Sequence, residues 1–225
     1  MNAIRLNHHA LDAAVIDLDG TLVDTMGDFV ATLNLMLRDM ALPAVTASVV
    51  AQLVGKGSEH LIRGVLVQVG LPAAAIEAPA GYPRAWQLYQ QHYQQVNGLH
   101  AQVYPGALRG LKLACLTNKP TDFAIALLQN KGLLGFFDVV FGGDAFPRKK
   151  PDPLPLLKTC EALGSLPART LMVGDSSNDA QAARAAGCPV LLVTYGYNHG
   201  QPVRDVDADG WLDSLSELVA VKYTQ

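Results

Sequence analysis

Asp17 and Asp19 are separated by a single residue in Asp17-Leu18-Asp19-Gly20-Thr21, directly after the apolar run Ala13-Ala14-Val15-Ile16. A carboxylate can attack phosphorus, and a second carboxyl nearby can protonate the departing alkoxide and later deprotonate water. Two carboxyls at this spacing supply both roles. Taken alone, Asp19-Gly20 also reads as a hairpin turn.

Other chemistry-bearing groups follow later apolar runs. Thr117-Asn118 closes the run 111–117, where a hydroxyl and adjacent backbone N–H groups can hold phosphoryl oxygens. The same pair also serves as a turn or helix cap. Lys150, in Lys150-Pro151-Asp152-Pro153, sits beside stiffening prolines, where its ammonium can neutralise a phosphoryl oxygen; the alternative is surface charge. Gly174-Asp175-Ser176-Ser177-Asn178-Asp179 follows another run. Its acidic oxygens suit Mg²⁺, which would shield Asp17 from a phosphate's like charge, and Asp179 also favours a helix start.

These groups need a scaffold that brings strand ends together. Short apolar runs at 13–17, 111–117, 139–142, 170–174 and 189–194 read as strands buried on both faces. Helical stretches at 122–131, 154–163 and 179–186 lie between the later runs, each ending before a glycine. Alternating strands and helices predict an α/β fold with a doubly wound parallel sheet, a Rossmann-like core. In such sheets, ligands bind at the carboxyl edge.

The first crossover is far longer than the others and reads as helices. Phe29, Leu33, Leu37 and Met40 share one face, as do Leu61, Ile62, Val65, Leu66 and Val69. Trp86, Tyr89 and Tyr93, in the stretch 85–96, read as packing, and Pro79 and Pro83 as helix breaks. The expected organisation is a core of residues 1–23 and 100–225, with an inserted α-helical cap domain at 24–99. Linkers near 23–24 and 97–103 form an expected hinge. Only residues 107–110 lie between the turn Tyr104-Pro105-Gly106 and the second strand, too few for a crossover helix, so weak order is expected near 106–111.

Half of the residues are hydrophobic, 16% are charged, and the net charge is -3, which gives no broad basic surface for nucleic acid. No run approaches the roughly 18 apolar residues of a membrane span, and no signal peptide is visible, so the expected compartment is the cytoplasm. The three cysteines form no metal-ligand cluster and read as reduced core thiols. A homodimer is neither required nor excluded.

The set Asp17-Leu18-Asp19-Gly20-Thr21, Thr117, Lys150 and Gly174-Asp175 through Asp179 resembles the four ordered motifs of the haloacid dehalogenase superfamily. The resemblance implies a Mg²⁺-dependent phosphatase with Asp17 as nucleophile and metal ligand. It makes Asp19 the acid/base, with its carbonyl on the metal, and Asp175 a further ligand. Thr117 and Lys150 would bind phosphate, and Asp179 would support metal and lysine. An alkoxide leaving group needs a proton and a halide does not, so Asp19 disfavours dehalogenation.

Tyr104-Pro105-Gly106, the stretch 116–120 and the stretch 194–200 resemble members acting on a very small phosphorylated carboxylate, 2-phosphoglycolate, which yields glycolate and phosphate. For such a substrate, Asn118 joins the binding set and Lys56, in Gly55-Lys56-Gly57, could meet the carboxylate. The tripeptide reads equally as a turn with a solvated lysine. Arg63 is a second candidate or a surface charge. A phosphatase for another small ester, a phosphomutase and a non-catalytic binding protein remain open alternatives.

Overall fold

The computed structural model describes residues 11–104 and 111–220. Its core is a six-stranded sheet in the order β5-β4-β1-β6-β7-β8, parallel throughout. The strands are β1 (Ala13–Ile16), β4 (Lys112–Leu116), β5 (Val139–Phe141), β6 (Thr170–Gly174), β7 (Val190–Val193) and β8 (Gly210–Leu212). The first five match the apolar runs of the sequence. β8 carries no run long enough to announce itself, and it forms by pairing with β7 in the register Leu191↔Gly210.

Alternation along each strand divides the side chains between two layers. Ala14, Ile16, Leu113, Cys115, Leu171 and Val173 enter one apolar cluster, with Ala124, Leu127 and Leu128 of α6 (Thr121–Asn130). Ala13, Val15, Ala114, Leu116 and Met172 enter the other, against α7 (Leu154–Leu163) and α8 (Ser177–Ala186). Each fully buried leucine or valine there contributes about 1.5–3 kcal/mol of transfer energy. The fold is therefore doubly wound, as expected. Cys115, Cys160 and Cys188 are buried and unpaired by disulfides.

Between β1 and β4 the chain forms α1 (Met26–Asp39), α2 (Ala47–Leu53), α3 (Ser58–Gln68), α4 (Ala73–Glu77) and α5 (Tyr82–Val96). These helices share their own apolar cluster, including Phe29, Leu33, Leu37, Leu61, Ile62, Tyr89 and Tyr93. Pro79 lies in the break between α4 and α5, whereas Pro83 sits in the first turn of α5, where a missing N–H costs nothing. The segments leading into and out of this layer pair as a short antiparallel ladder, β2 (Val23–Asp24) with β3 (Gln102–Val103). Residues 105–110 lie outside the described residues, and with them the expectation of weak order near 106–111. Among the described residues, no helix is long and apolar enough to cross a membrane.

Candidate active site

Parallel strands deliver their following residues to one edge. Asp17 leaves β1, Thr117 leaves β4 and Asp175 leaves β6, and their backbones stay tied to the sheet by Asp17 N–H to Val173 O (2.9 Å) and Thr117 N–H to Phe141 O (3.0 Å). After Asp17 the chain turns at once: Gly20 takes φ +86°, and its N–H donates to Val23 O at 2.9 Å. A Cβ on Gly20 would collide with Asp175 Oδ2, so this position needs glycine both for its backbone and for the approach of a carboxylate.

Lys150 is the buried cation at the centre. Its Nζ lies 2.7 Å from Asp179 Oδ1, 2.7 Å from Leu116 O and 2.9 Å from Asp17 Oδ1. The Asp17 contact is a close ion pair without hydrogen-bond alignment, which leaves Oδ1 without a hydrogen-bond donor among the described residues. Asp179 stands at the third position of α8 in a capping box with Ser176. Its Oδ2 accepts from the Ser176 hydroxyl (2.8 Å), Ser176 N–H (3.2 Å) and Asp175 N–H (3.3 Å). Asp179 is thus fully engaged in ordering its neighbours.

Asp17, Asp175 and Asp179 each place a carboxylate oxygen within 4.8 Å of the others, and all are buried. Burial pushes the Asp17 carboxyl up to about 7; Lys150 opposes the rise and Asp179 adds to it. Burial, then Asp179 and Asp17, hold the Asp175 carboxyl well above its ordinary range, although Tyr197 N–H donates to its Oδ2 at 2.7 Å. With Asp19 paired to Lys119 at 2.7 Å, the cluster holds four carboxyls against two ammoniums, a formal balance of -2 when all are ionised. A divalent cation with a preference for oxygen fits this donor set and cancels that excess.

The pocket encloses about 510 Å³ of free space, counting its mouth. Asp17, Asp19, Thr117, Asn118, Lys150 and Asp179 line it from the core; Asp175 does not line it but joins through the carboxylate cluster. The helical layer contributes Phe29, Leu61, Tyr89 and Tyr93, with Gly55, Gly57 and Ser58. Asn118 Nδ2 donates to Gly55 O (3.0 Å) and Lys150 O (2.9 Å), and Asn178 Nδ2 also reaches Gly55 O (3.2 Å). The layer is therefore held down over the sheet edge.

Two candidates lie elsewhere. Lys56 is exposed and does not itself line the pocket, although both of its flanking glycines, Gly55 and Gly57, do. Arg63 pairs with Glu59 (3.0 Å) and Glu77 (2.6 Å) and covers the Tyr82 ring at 4.1 Å, so it braces the helical layer.

Sequence reasoning assigned no role to Lys119, which is buried and bound to Asp19. The available signal was a lysine directly after Thr117-Asn118, past the end of an apolar run. Tyr89 and Tyr93 pack as expected but also line the pocket, and the two rings stack at 5.3 Å. Tyr197 links distant parts: its hydroxyl donates to Asp24 Oδ1 (2.8 Å) and accepts from Thr25 N–H (2.9 Å) and Met26 N–H (3.0 Å).

The sequence model of the haloacid dehalogenase-like hydrolases matches residues 14–193. A phosphoglycolate phosphatase of Thiobacillus denitrificans is 41% identical over 215 residues, covering 92% of this chain and 93% of that protein. A plasmid-borne phosphoglycolate phosphatase of Cupriavidus necator is 42% identical over 217 residues, covering 93% and 92%. The crystal structure of a predicted phosphoglycolate phosphatase from Haemophilus somnus superposes with a TM-score of 0.87 at 28% identity, covering 94% of this chain and 97% of that one. Taken with four motif segments gathered at one sheet edge, these matches show that the chain belongs to the haloacid dehalogenase-like hydrolase family.

Proposed function

We propose that this chain is a Mg²⁺-dependent phosphatase for small phosphomonoesters, with 2-phosphoglycolate as its substrate and glycolate and phosphate as its products. The carrying observation is the position of Asp17. It closes the central strand, faces Lys150 at 2.9 Å, and shares a pocket with Asp19 beneath a helical layer. The names of the relatives from T. denitrificans and C. necator support the substrate.

In this reading, an Asp17 carboxylate oxygen forms a bond to phosphorus while the bond to the ester oxygen breaks. Asp19 delivers a proton to that oxygen, and the alcohol leaves. Asp19 then takes a proton from water, whose oxygen attacks phosphorus and returns Asp17 as a carboxylate. Lys150 neutralises phosphoryl charge, while the Thr117 hydroxyl and backbone N–H groups at Asn118 orient the phosphoryl oxygens. Mg²⁺ held by Asp17, Asp175 and the Asp19 carbonyl, with Asp179 in support, would supply the positive charge that keeps Asp17 ionised.

Residues 24–99 act as a cap domain whose linkers, paired as β2 and β3, let it open for substrate and close to exclude water. Scattering profiles that stay identical with and without a phosphate mimic would argue against this motion. The cytoplasm is the expected compartment. The function is tested by phosphate release from 2-phosphoglycolate, sugar phosphates and pyrophosphate, with Mg²⁺ and with chelator. Release fastest from 2-phosphoglycolate and only with the metal is expected. A phosphomutase would transfer the group between sugar positions and release little, and that outcome would replace the reading.

A further inference from the structure

Lys119 is a buried ammonium to which the steps above give no work. Its Nζ lies 2.7 Å from Asp19 Oδ1, 4.6 Å from the centre of the Phe29 ring and 5.0 Å from that of Tyr93. Aromatic faces attract the charge but accept no strong hydrogen bond, so an ammonium with three donors is left under-used. Beside it, the hydroxyl of Tyr93 is buried and has no hydrogen-bond partner among the described residues. Burial first, and then the nearby Asp19 charge, push the phenols of Tyr89 and Tyr93 far above their ordinary range, which keeps both as donors. The Lys119 charge is met by Asp19, but its remaining donors and the Tyr93 hydroxyl have no hydrogen-bond partner among the described residues, and buried donors left unpaired are costly until an acceptor arrives to use them.

We propose that Lys119 Nζ and the Tyr93 hydroxyl receive a second anionic group of the substrate, a carboxylate on the carbon that bears the ester oxygen. This rests on the phosphatase reading above and names its substrate class. The distance follows from the chemistry. Asp19 must reach the ester oxygen to protonate it, and Lys119 lies one hydrogen bond beyond Asp19. An anion reaching both must therefore sit next to the carbon carrying that oxygen. Phe29, Leu61 and Tyr89 close the remaining wall against larger alcohols. On binding, Lys119 turns its remaining donors to the carboxylate.

The test compares 2-phosphoglycolate with ethyl phosphate, in which a methyl replaces the carboxylate, for wild type, Lys119→Met and Tyr93→Phe. Both kcat and KM are read from phosphate release. Wild type is expected to favour 2-phosphoglycolate in kcat/KM. Lys119→Met lowers that preference about 10²-fold, carried by KM, and Tyr93→Phe lowers it about 5-fold to 10-fold. Circular dichroism spectra and urea unfolding report that each variant has folded. If the preference survives Lys119→Met while kcat falls on both esters, Lys119 only orients Asp19, and the proposal fails with the phosphatase reading intact. A wild type without preference also overturns it. Phosphate release from neither ester defeats both readings.

Discussion

The Tyr197 hydroxyl lies 2.8 Å from Asp24 Oδ1, at the start of the helical layer, while the Tyr197 backbone N–H holds Asp175 Oδ2 at 2.7 Å. One residue thus ties the carboxylate cluster to the segment where the chain leaves the sheet. Tyr197→Phe removes the acceptor of Thr25 and Met26 N–H and the donor to Asp24. The expected cost is about 1–3 kcal/mol in urea unfolding, with a modest fall in kcat. Unchanged stability would show that the contact is incidental.

Asp17→Asn removes the attacking carboxylate and keeps the shape. Phosphate release should fall at least about 10³-fold, with the circular dichroism spectrum unchanged. The melting temperature should hold or rise in metal-free buffer, because the substitution relieves a crowded buried charge. Substantial remaining turnover would refute Asp17 as nucleophile.

Lys150→Met leaves Asp17 and Asp179 buried without their shared cation. Breaking a buried pair from one side costs about 3–5 kcal/mol, so both stability and activity should collapse together. A variant as stable as wild type in denaturant titration would contradict this.

The Asp17 carboxyl is raised by burial from 3.8 to about 7 in the metal-free chain. Between those values the folded chain retains a proton that the unfolded chain has released. Stability is therefore fully present below the lower value and is lost as pH rises through the higher one. Thermal melts in chelator should show a lower melting temperature at pH 8 than at pH 5, and Asp17→Asn should flatten part of that slope. Added Mg²⁺ should raise the melting temperature more at pH 8 than at pH 5. A pH-independent metal effect would sever the link.

The strands that carry Asp17, Thr117 and Asp175 were legible because each is a continuous apolar run, the mark of a strand buried on both faces. The end of α8 was legible in Gly187, which takes φ +79°. β8 was not, since Gly210–Leu212 has no alternation of its own and exists through its pairing with β7. Lys56 drew attention because glycines flank it, yet exposure depends on how the layer sits on the core, which local composition does not encode.

Sequence alone determined which groups gather at the carboxyl edge, because in a parallel sheet every strand runs the same way and hands its next residue to the same side. Tertiary structure alone decided which charges meet there. Asp19 and Lys119 are 100 residues apart, and Asp24 and Tyr197 are 173 apart. Such pairs come together only when segments leaving different strands meet at the sheet edge, and no periodic pattern along the chain records a contact of that range.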